Sequence, residues 1–535
     1  MTATAFDLFS EACERFWDAQ GKGRPSAAAG SIAVDLMHDN VWYLRLNLHL
    51  AKILQRRTGA RIVGIMHDWA PPLVEYRPDV NRRLAAAHGV DEIIDLDDVG
   101  ADAPPHPDDE AAIRALRAAL QAARGLTGGA LRAALFDLGD DPDFGWLAYD
   151  TVIRTKQTPT LERLDEEACA QFERLLRETL LLRRACETHD VRQSVCGHIE
   201  YHPYAALAQS VIDRGGEAFF LWPLVPGTVR RFTDRESLRH NRDRDFLTLY
   251  EDEVRSRYDP ALPGVAAFAA AFRARLSATR AYTKSNQQAD ARLDRQAFHD
   301  LYGLDARKPT ACILSQALSD AVHANGAMLF DDFGQWLVQA LDAAVEGGDA
   351  NLVLKVHPRD RVYNVDGFVA ELIRRYDACP NVAILPSAVQ NAEIVAHAQT
   401  VTTVHGTPGY ELAIDGASTV IAGRARYSGL GIASEPSDPQ RYLDELFCRT
   451  PSETRAPDAG ERAMTFAFAE FCLFRAPCLF VRYDVTRPPL NAPYWREQAF
   501  VYGTLSLQDD PFFLAVERML HYETPILLRN GAFGG

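Results

Sequence analysis

The sequence predicts an α/β protein built as two Rossmann-like halves facing a central cleft. Three observations point there. Short β-branched runs alternate with helical periods over residues 31–96 and 194–222, and in a second series from about 308 to 423. The length, 535 residues, exceeds what one ordinary core accommodates. Polar, glycine-bearing loops stand where strands hand over to helices, most densely in "VTTVHGTPGYELAIDGASTVIAG" (401–423).

The elements follow in order. An amphipathic opening helix leads into "GKGRPSAAAGS" (21–31), a linker by its Gly, Pro and Ser content. "SIAVDLM" (31–37) reads as a strand, "HDN" as its exit loop and "YLRLNLHLAKILQRRTG" as a helix. "RIVGIM" (61–66) and "DEIIDL" (91–96) are the next strands. Residues 100–190 interrupt the rhythm with helical periods over 111–135 and 161–188. "SVCGHI" (194–199), the helix "PYAALAQSVIDRGG" and the strand "EAFFLW" restore it, and the charged residues 227–300 read as mostly helical.

The second series runs through the strands "TACILSQ", "NLVLKVHP", "NVAILP", "TVTTV" and "STVIAG", with helices between them. A tail from about 460 is rich in Phe, Tyr, Leu and Pro, apolar enough to pack back on the body. The expected division is therefore a first Rossmann-like domain over 1–300, with a helical insertion at about 100–190. A second follows over 301–460, and a C-terminal extension over 461–535.

Composition narrows the function classes. Hydrophobic content of 47% and charged content of 24% are those of a globular protein. A net charge of −16 argues against duplex nucleic acid as a partner, while leaving room for a local basic pocket. Nine scattered cysteines without CxxC spacing fit reduced thiols, and the acidic N-terminus lacks a signal-peptide pattern. No run approaches 18 apolar residues. The expectation is a cytoplasmic protein whose contact with any membrane is peripheral.

Ligands of open α/β sheets bind beyond the carboxyl ends of the strands. In the loop after "VTTV", His405, Gly406, Thr407, Pro408 and Gly409 precede a helix whose first turn carries Glu411. Glycines there would let a backbone approach a ligand and adopt positive φ, and a helix start offers N–H groups to a phosphate. Glu411 could accept hydrogen bonds from ribose hydroxyls. Upstream, "LKVHPRD" sets Lys355, His357 and Arg359 around Pro358 at a strand end, three potential cations suited to an anion. In the first half, His38, Asp39, His67, Asp68, Asp150 and His198 lie at strand exits or adjoining loops and are acid–base candidates. Asp and Asn also cap helices at such places. HExxH, paired-Cys and EF-hand patterns are missing, so no dedicated metal site is expected; GxSxG and GxxxxGK[ST] are missing too.

These residues carry a resemblance. Lys355, His357 and Pro358 match a "K-x-HP" strand end, and Gly409, Glu411, Gly423, Arg424 and Tyr427 fall in register with a "G-x-E-A … P-V-I-x-x-G-R-A-x-Y" pattern. Both belong to bacterial capsule polysaccharide biosynthesis proteins, Kdo-transferase-like GT-B glycosyltransferases, which this chain resembles over roughly 140–445. "SQALSDAVHANGAMLFDDFGQWL" (315–337) is similar to segments of such proteins as well. The chain departs from the pattern at His405–Pro408, where Ser-Ser precedes Gly, and at Leu412, where Ala follows Glu. The resemblance implies a GT-B-like fold, no cofactor, and a CMP- or UDP-linked nucleotide-sugar donor, such as CMP-Kdo, in the C-terminal half. Lys355, His357, Pro358, Arg359, His405, Gly406, Thr407, Gly409, Glu411 and Arg424 would bind that donor. A glycan or lipid-linked acceptor would meet Asp39, His38, Asp150 or His198 from the N-terminal half. A UDP-GlcNAc 2-epimerase-like enzyme and a non-catalytic nucleotide-sugar-binding assembly factor are the alternatives.

Overall fold

The computed structural model describes residues 4–21, 30–37, 40–67, 78–97, 107–222, 227–239, 251–282, 293–324, 326–360, 367–450, 454–481 and 491–529. Two sheets organise it. The first holds β1 (Ser31–Asp35), β2 (Arg61–Met66), β3 (Glu92–Asp95), β4 (Val191–Cys196), β5 (Glu217–Trp222) and β6 (Thr228–Phe232). Their order is β3-β2-β1-β4-β5-β6, parallel except for β6, which runs antiparallel to β5. The second holds β7 (Thr310–Leu314), β8 (Asn351–Lys355), β9 (Val382–Leu385), β10 (Thr400–Thr403) and β11 (Thr419–Ile421), ordered β11-β10-β7-β8-β9 and parallel throughout. In both sheets the order reverses beside the first strand, which creates a crevice at its carboxyl end: between β1 and β4, and between β7 and β10.

Period-two burial explains the layers. Along β1, Ile32 and Val34 enter one core and Ala33 the opposite one; along β7, Ala311 and Ile313 face one side, Cys312 and Leu314 the other. Helix starts are capped as the sequence suggests. Asn40 accepts from Trp42 N at 2.9 Å to open helix Val41–Thr58, and Asp332 accepts from Gln335 N at 2.7 Å to open helix Phe333–Gly347.

Three features differ from the sequence reading. Residues 228–232, expected to be helical, form β6, whose alternation "TVRRF" is short enough to be mistaken for a charged helix start. "FGWLAYDTVIR" lies within helix Phe144–Lys156, so Asp150 is mid-helix and fully buried rather than on a loop. The inserted helices Pro107–Ala123, Gly128–Phe136, Phe144–Lys156 and the start of Glu166–Thr188 share one hydrophobic core with the second sheet, joining Leu131, Leu135 and Phe172 to Ile313, Trp336 and Leu354. Arg132 adds an ion pair to Asp331 at 2.7 Å.

The tail returns to the first sheet. Phe480, Tyr494, Trp495, Tyr502 and Phe512 enter the same core as Phe9, Phe16 and Leu44. Arg45, fully buried, locks this seam by donating to Tyr494 Oη (2.6 Å), Gln498 Oε1 (2.7 Å) and the Phe480 carbonyl (2.7 Å). A second seam uses Glu470, which pairs with Arg426 and Arg475 at 2.5 Å each, while the Arg426 guanidinium lies 5.0 Å over Trp222 of β5. Burial would raise the Glu470 carboxyl, but the two guanidinium groups hold it down at about 2. No described helix is long and apolar enough to cross a membrane.

Candidate functional site at the interdomain cleft

The crevice of the second sheet is built by the exits of β7 and β10. Gln316 donates to Thr403 Oγ1 across the gap, and His405, Gly406 and Thr407 follow directly, leading into helix Pro408–Ile414. The tight turn has a cause in packing. Tyr427 Oη donates to the Gly406 carbonyl at 2.8 Å, and a Cβ on Gly409 would lie 1.9 Å from that phenol oxygen. A Cβ on Gly406 would meet Thr403 Oγ1 at 2.9 Å and Gln316 Nε2 at 3.0 Å. Neither glycine is among the residues with positive φ, so the expected left-handed conformation is absent here. The glycines seat the loop against Tyr427, Thr403 and Gln316. His405 is half-buried with Phe333 at 5.7 Å, and Glu411 lies 3.5 Å from Arg275 of helix Pro263–Tyr282.

The end of β8 is less cationic than expected. Lys355 turns its ammonium to Asn391 and is almost buried, which lowers its pKa. His357 Nδ1 accepts from Arg359 N at 3.2 Å, so the neutral ring carries its proton on Nε2. Burial first, then the charges of Arg359 and Lys355, lowers the His357 pKa against the raising effect of Asp320. The imidazole is neutral near pH 7 and offers an N–H. Pro358 ends the ladder, and Arg359 and Arg424 are exposed at the rim.

On the first half, Asp35 closes β1 with no exposed surface. Its Oδ1 accepts from Met37 N (2.8 Å) and its Oδ2 from Gly197 N (3.2 Å), tying together the two loops of that crevice. His198 follows on the second loop, stacked on Tyr43 (5.7 Å between ring centroids, 23° between planes) and 3.5 Å from Glu200. Burial would lower its pKa, but Glu200, Asp35 and Asp320 together raise it. His67, after β2, sits between Glu178 (2.8 Å) and Asp97 (3.1 Å); burial opposes, yet these carboxylates raise its pKa too. His38, Asp39 and Asp68 lie outside the described residues.

The two halves meet at Asp320, in the loop after β7. Tyr201 Oη donates to its Oδ1 at 2.7 Å from the first half, and Arg154 Nη1 approaches at 3.7 Å from the inserted helix Phe144–Lys156. The Asp320 charge also acts on His198 and on His357, so the carboxylate stands between the candidate loops of both sheets. Sequence reasoning did not single it out, although "SQALSDAVHANG" contained it. One residue pair further on, Asp150 and His323 fasten the same loop. Asp150 Oδ1 lies 2.5 Å from His323 Nδ1, and Oδ2 accepts from His323 N (2.8 Å) and Ala324 N (3.1 Å). With both oxygens engaged and no exposure, Asp150 is an anchor of the Asp320 loop rather than a group facing the cleft.

The arrangement offers a neutral imidazole donor, rim guanidinium groups and a helix start on one side. A carboxylate held by a phenol and approached by a guanidinium stands at the middle. Among the described residues, the one grouping of three potential metal ligands involves none of these side chains.

Residues 277–450 match the family model described as "Capsule polysaccharide biosynthesis protein". No curated protein matches the chain. Among solved structures, the chain is similar to the beta Kdo 2,4 transferase KpsC of Thermosulfurimonas dismutans at 15% identity and TM-score 0.33, over 51% of this chain and 79% of that one. It is similar to Anabaena Alr3699/HepE in complex with UDP at 10% identity and TM-score 0.27, over 83% and 95%. UDP-GlcNAc 2-epimerase from Neisseria meningitidis, bound to UDP-GlcNAc, matches at 8% identity and TM-score 0.21, over 92% and 100%. The stretch that matches the capsule polysaccharide biosynthesis family model, residues 277–450, holds all five strands of the second sheet.

Proposed function

We propose that the protein is a glycosyltransferase of capsule polysaccharide synthesis, moving a sugar from a nucleotide-activated donor to a glycan or lipid-linked acceptor. The observation that carries the reading is Asp320, which follows the first strand of the second sheet and meets Tyr201 of the other half and Arg154 of the inserted helix. Transfer needs a carboxylate or imidazole within reach of an anomeric carbon and an acceptor hydroxyl held between two domains.

In this reading the second crevice takes the donor. His357 Nε2–H, Arg359 and Arg424 face its phosphate, the His405–Gly409 turn shapes the pocket, and Glu411 holds ribose. The first crevice takes the acceptor, with His198 positioned by Asp35 and Glu200. Asp320 acts either as base toward the acceptor hydroxyl, giving inversion, or as nucleophile toward the anomeric carbon, giving retention. CMP-Kdo is the first donor to test, because Arg359 and Arg424 would also suit a sugar carboxylate.

The test is to screen CMP-, UDP- and GDP-sugars by thermal shift, then incubate the stabilising donor with and without capsule oligosaccharide and analyse products by mass spectrometry. A lengthened glycan supports transfer. A sugar isomer formed without acceptor supports the epimerase, and binding with no product supports an assembly factor.

A further inference from the structure

We propose that His49, Cys478 and Asp510 form a buried site for one zinc ion that staples the C-terminal segment to the first half. His49 lies on helix Val41–Thr58; Asp510 caps helix Pro511–His521; Cys478 lies between the two tail seams. Their ligand atoms all fall within 4.8 Å of one another. His49 Nε2 stands 3.5 Å from Asp510 Oδ2, and Cys478 Sγ stands 3.8 Å from the same oxygen.

Those separations decide between two readings. A plain core cluster would draw the imidazole into a hydrogen bond of roughly 2.7–3.2 Å. Instead, among the described residues, both His49 ring nitrogens are without a hydrogen-bond partner, on a side chain with no exposed surface. A bare buried imidazole is a costly arrangement. Ligands bound to zinc at about 2.0 Å (N, O) and 2.3 Å (S) stand roughly 3.3–3.5 Å apart around a tetrahedral shell, and the two edges to Asp510 Oδ2, 3.5 and 3.8 Å, lie within about 0.3 Å of those values.

The surroundings agree. Asp510 Oδ1 is held by Leu479 N (2.8 Å) and Phe512 N (3.4 Å), which leaves Oδ2 aimed at the other two groups, as outer-shell bonds orient a metal-ligating carboxylate. Trp17 and Phe480 pack on the His49 ring at 5.3 and 5.2 Å between centroids. In so apolar a place, a thiolate and a carboxylate together neutralise one dication. The N, S and O set favours zinc over calcium or magnesium. On binding, Cys478 releases its thiol proton to solvent as the zinc–sulfur bond forms, and no electron changes hands. Positions 49, 478 and 510 are too far apart in the chain for a spacing motif to reveal them.

The experiment needs no enzymatic activity. The full-length protein is stripped with a chelator, loaded with zinc or cobalt, desalted, and assayed for metal by mass spectrometry and for cobalt absorption. One ion per chain, a thiolate-to-cobalt charge-transfer band and a zinc-dependent rise in melting temperature are expected. Cys478→Ser should lose the band, and His49→Gln should retain at least tenfold less zinc. Well under one ion in the parent protein, or a parent spectrum without the band, overturns the site even if a variant does not fold. Equal zinc retention in parent and Cys478→Ser, showing adventitious binding elsewhere, overturns it as well.

Discussion

Tyr201 donates its phenol hydrogen to Asp320 Oδ1 at 2.7 Å, a bond that spans the two sheets and fixes a carboxylate at the cleft. Burial and the Asp320 charge push the Tyr201 phenol far above its ordinary pKa, so it remains a donor at any working pH. Asp320→Asn keeps size and shape while removing charge. Turnover is expected to fall by about 10²–10⁴-fold while donor affinity, measured by calorimetry, changes less than tenfold. Turnover within a few-fold of the parent would remove Asp320 from the chemistry. Product stereochemistry, read by NMR, separates its two possible roles.

Asp150→Asn tests the anchor. Removing one partner of the buried Asp150–His323 pair should cost about 3–5 kcal/mol in chemical denaturation. Burial alone would lower the His323 pKa, but Asp150 raises it. The pair's contribution is therefore complete below the unfolded histidine pKa and fades as pH rises through the raised folded value. Turnover per folded molecule should stay within tenfold of the parent. A catalytic-scale loss in a fully stable variant would restore Asp150 as an acid–base group.

Buried neutral histidines set an opposite pH dependence. Burial pushes His88 down to about 3 and His202 to about 4. Below their ordinary pKa near 6.5 the unfolded chain binds protons that the folded chain refuses, so stability falls as pH drops toward about 4. Each contributes up to about 1.4 kcal/mol per pH unit in that window. His88→Gln should flatten the acid limb of the melting temperature against pH relative to the parent. An unchanged limb would mean that His88 is protonated in the fold.

Much of this was legible in the sequence, for reasons that particular residues show. β1, β2, β7 and β8 announce themselves by short apolar runs ending in polar loops, and the crevice loops follow from the strand order. β6 hides in the sequence because five residues ending at "RRF" resemble the charged stretch after them. The helical setting of Asp150 is hidden because "FGWLAYDTVIR" buries both of its faces and so shows no amphipathic period. Asp320 carries no local signal: its partners Tyr201 and Arg154 are brought to it only by the tertiary fold. The sequence marks the glycines of the "HGTPG" turn for positive φ, whereas the structure gives Gly406 a packing reason, Thr403 and Gln316, and Gly409 another, Tyr427, eighteen residues along the chain.

That last relationship gives the final prediction. Gly409→Ala would drive its new methyl group into the Tyr427 phenol, whose oxygen stands 1.9 Å from the ideal Cβ position, with ring carbons at 2.8 and 3.3 Å. Tyr427 cannot retreat freely: it is buried between Tyr410 and Phe466 and bonded to the Gly406 carbonyl. The turn must shift instead, at about 1–3 kcal/mol of stability, the usual cost of overpacking. Because that turn shapes the proposed donor pocket, affinity for the donor nucleotide should weaken at least tenfold. Tyr427→Phe, which deletes only the bond to Gly406, should weaken it less. Donor affinity equal to the parent in a folded Gly409→Ala protein would show that the His405–Gly409 turn does not shape the donor site.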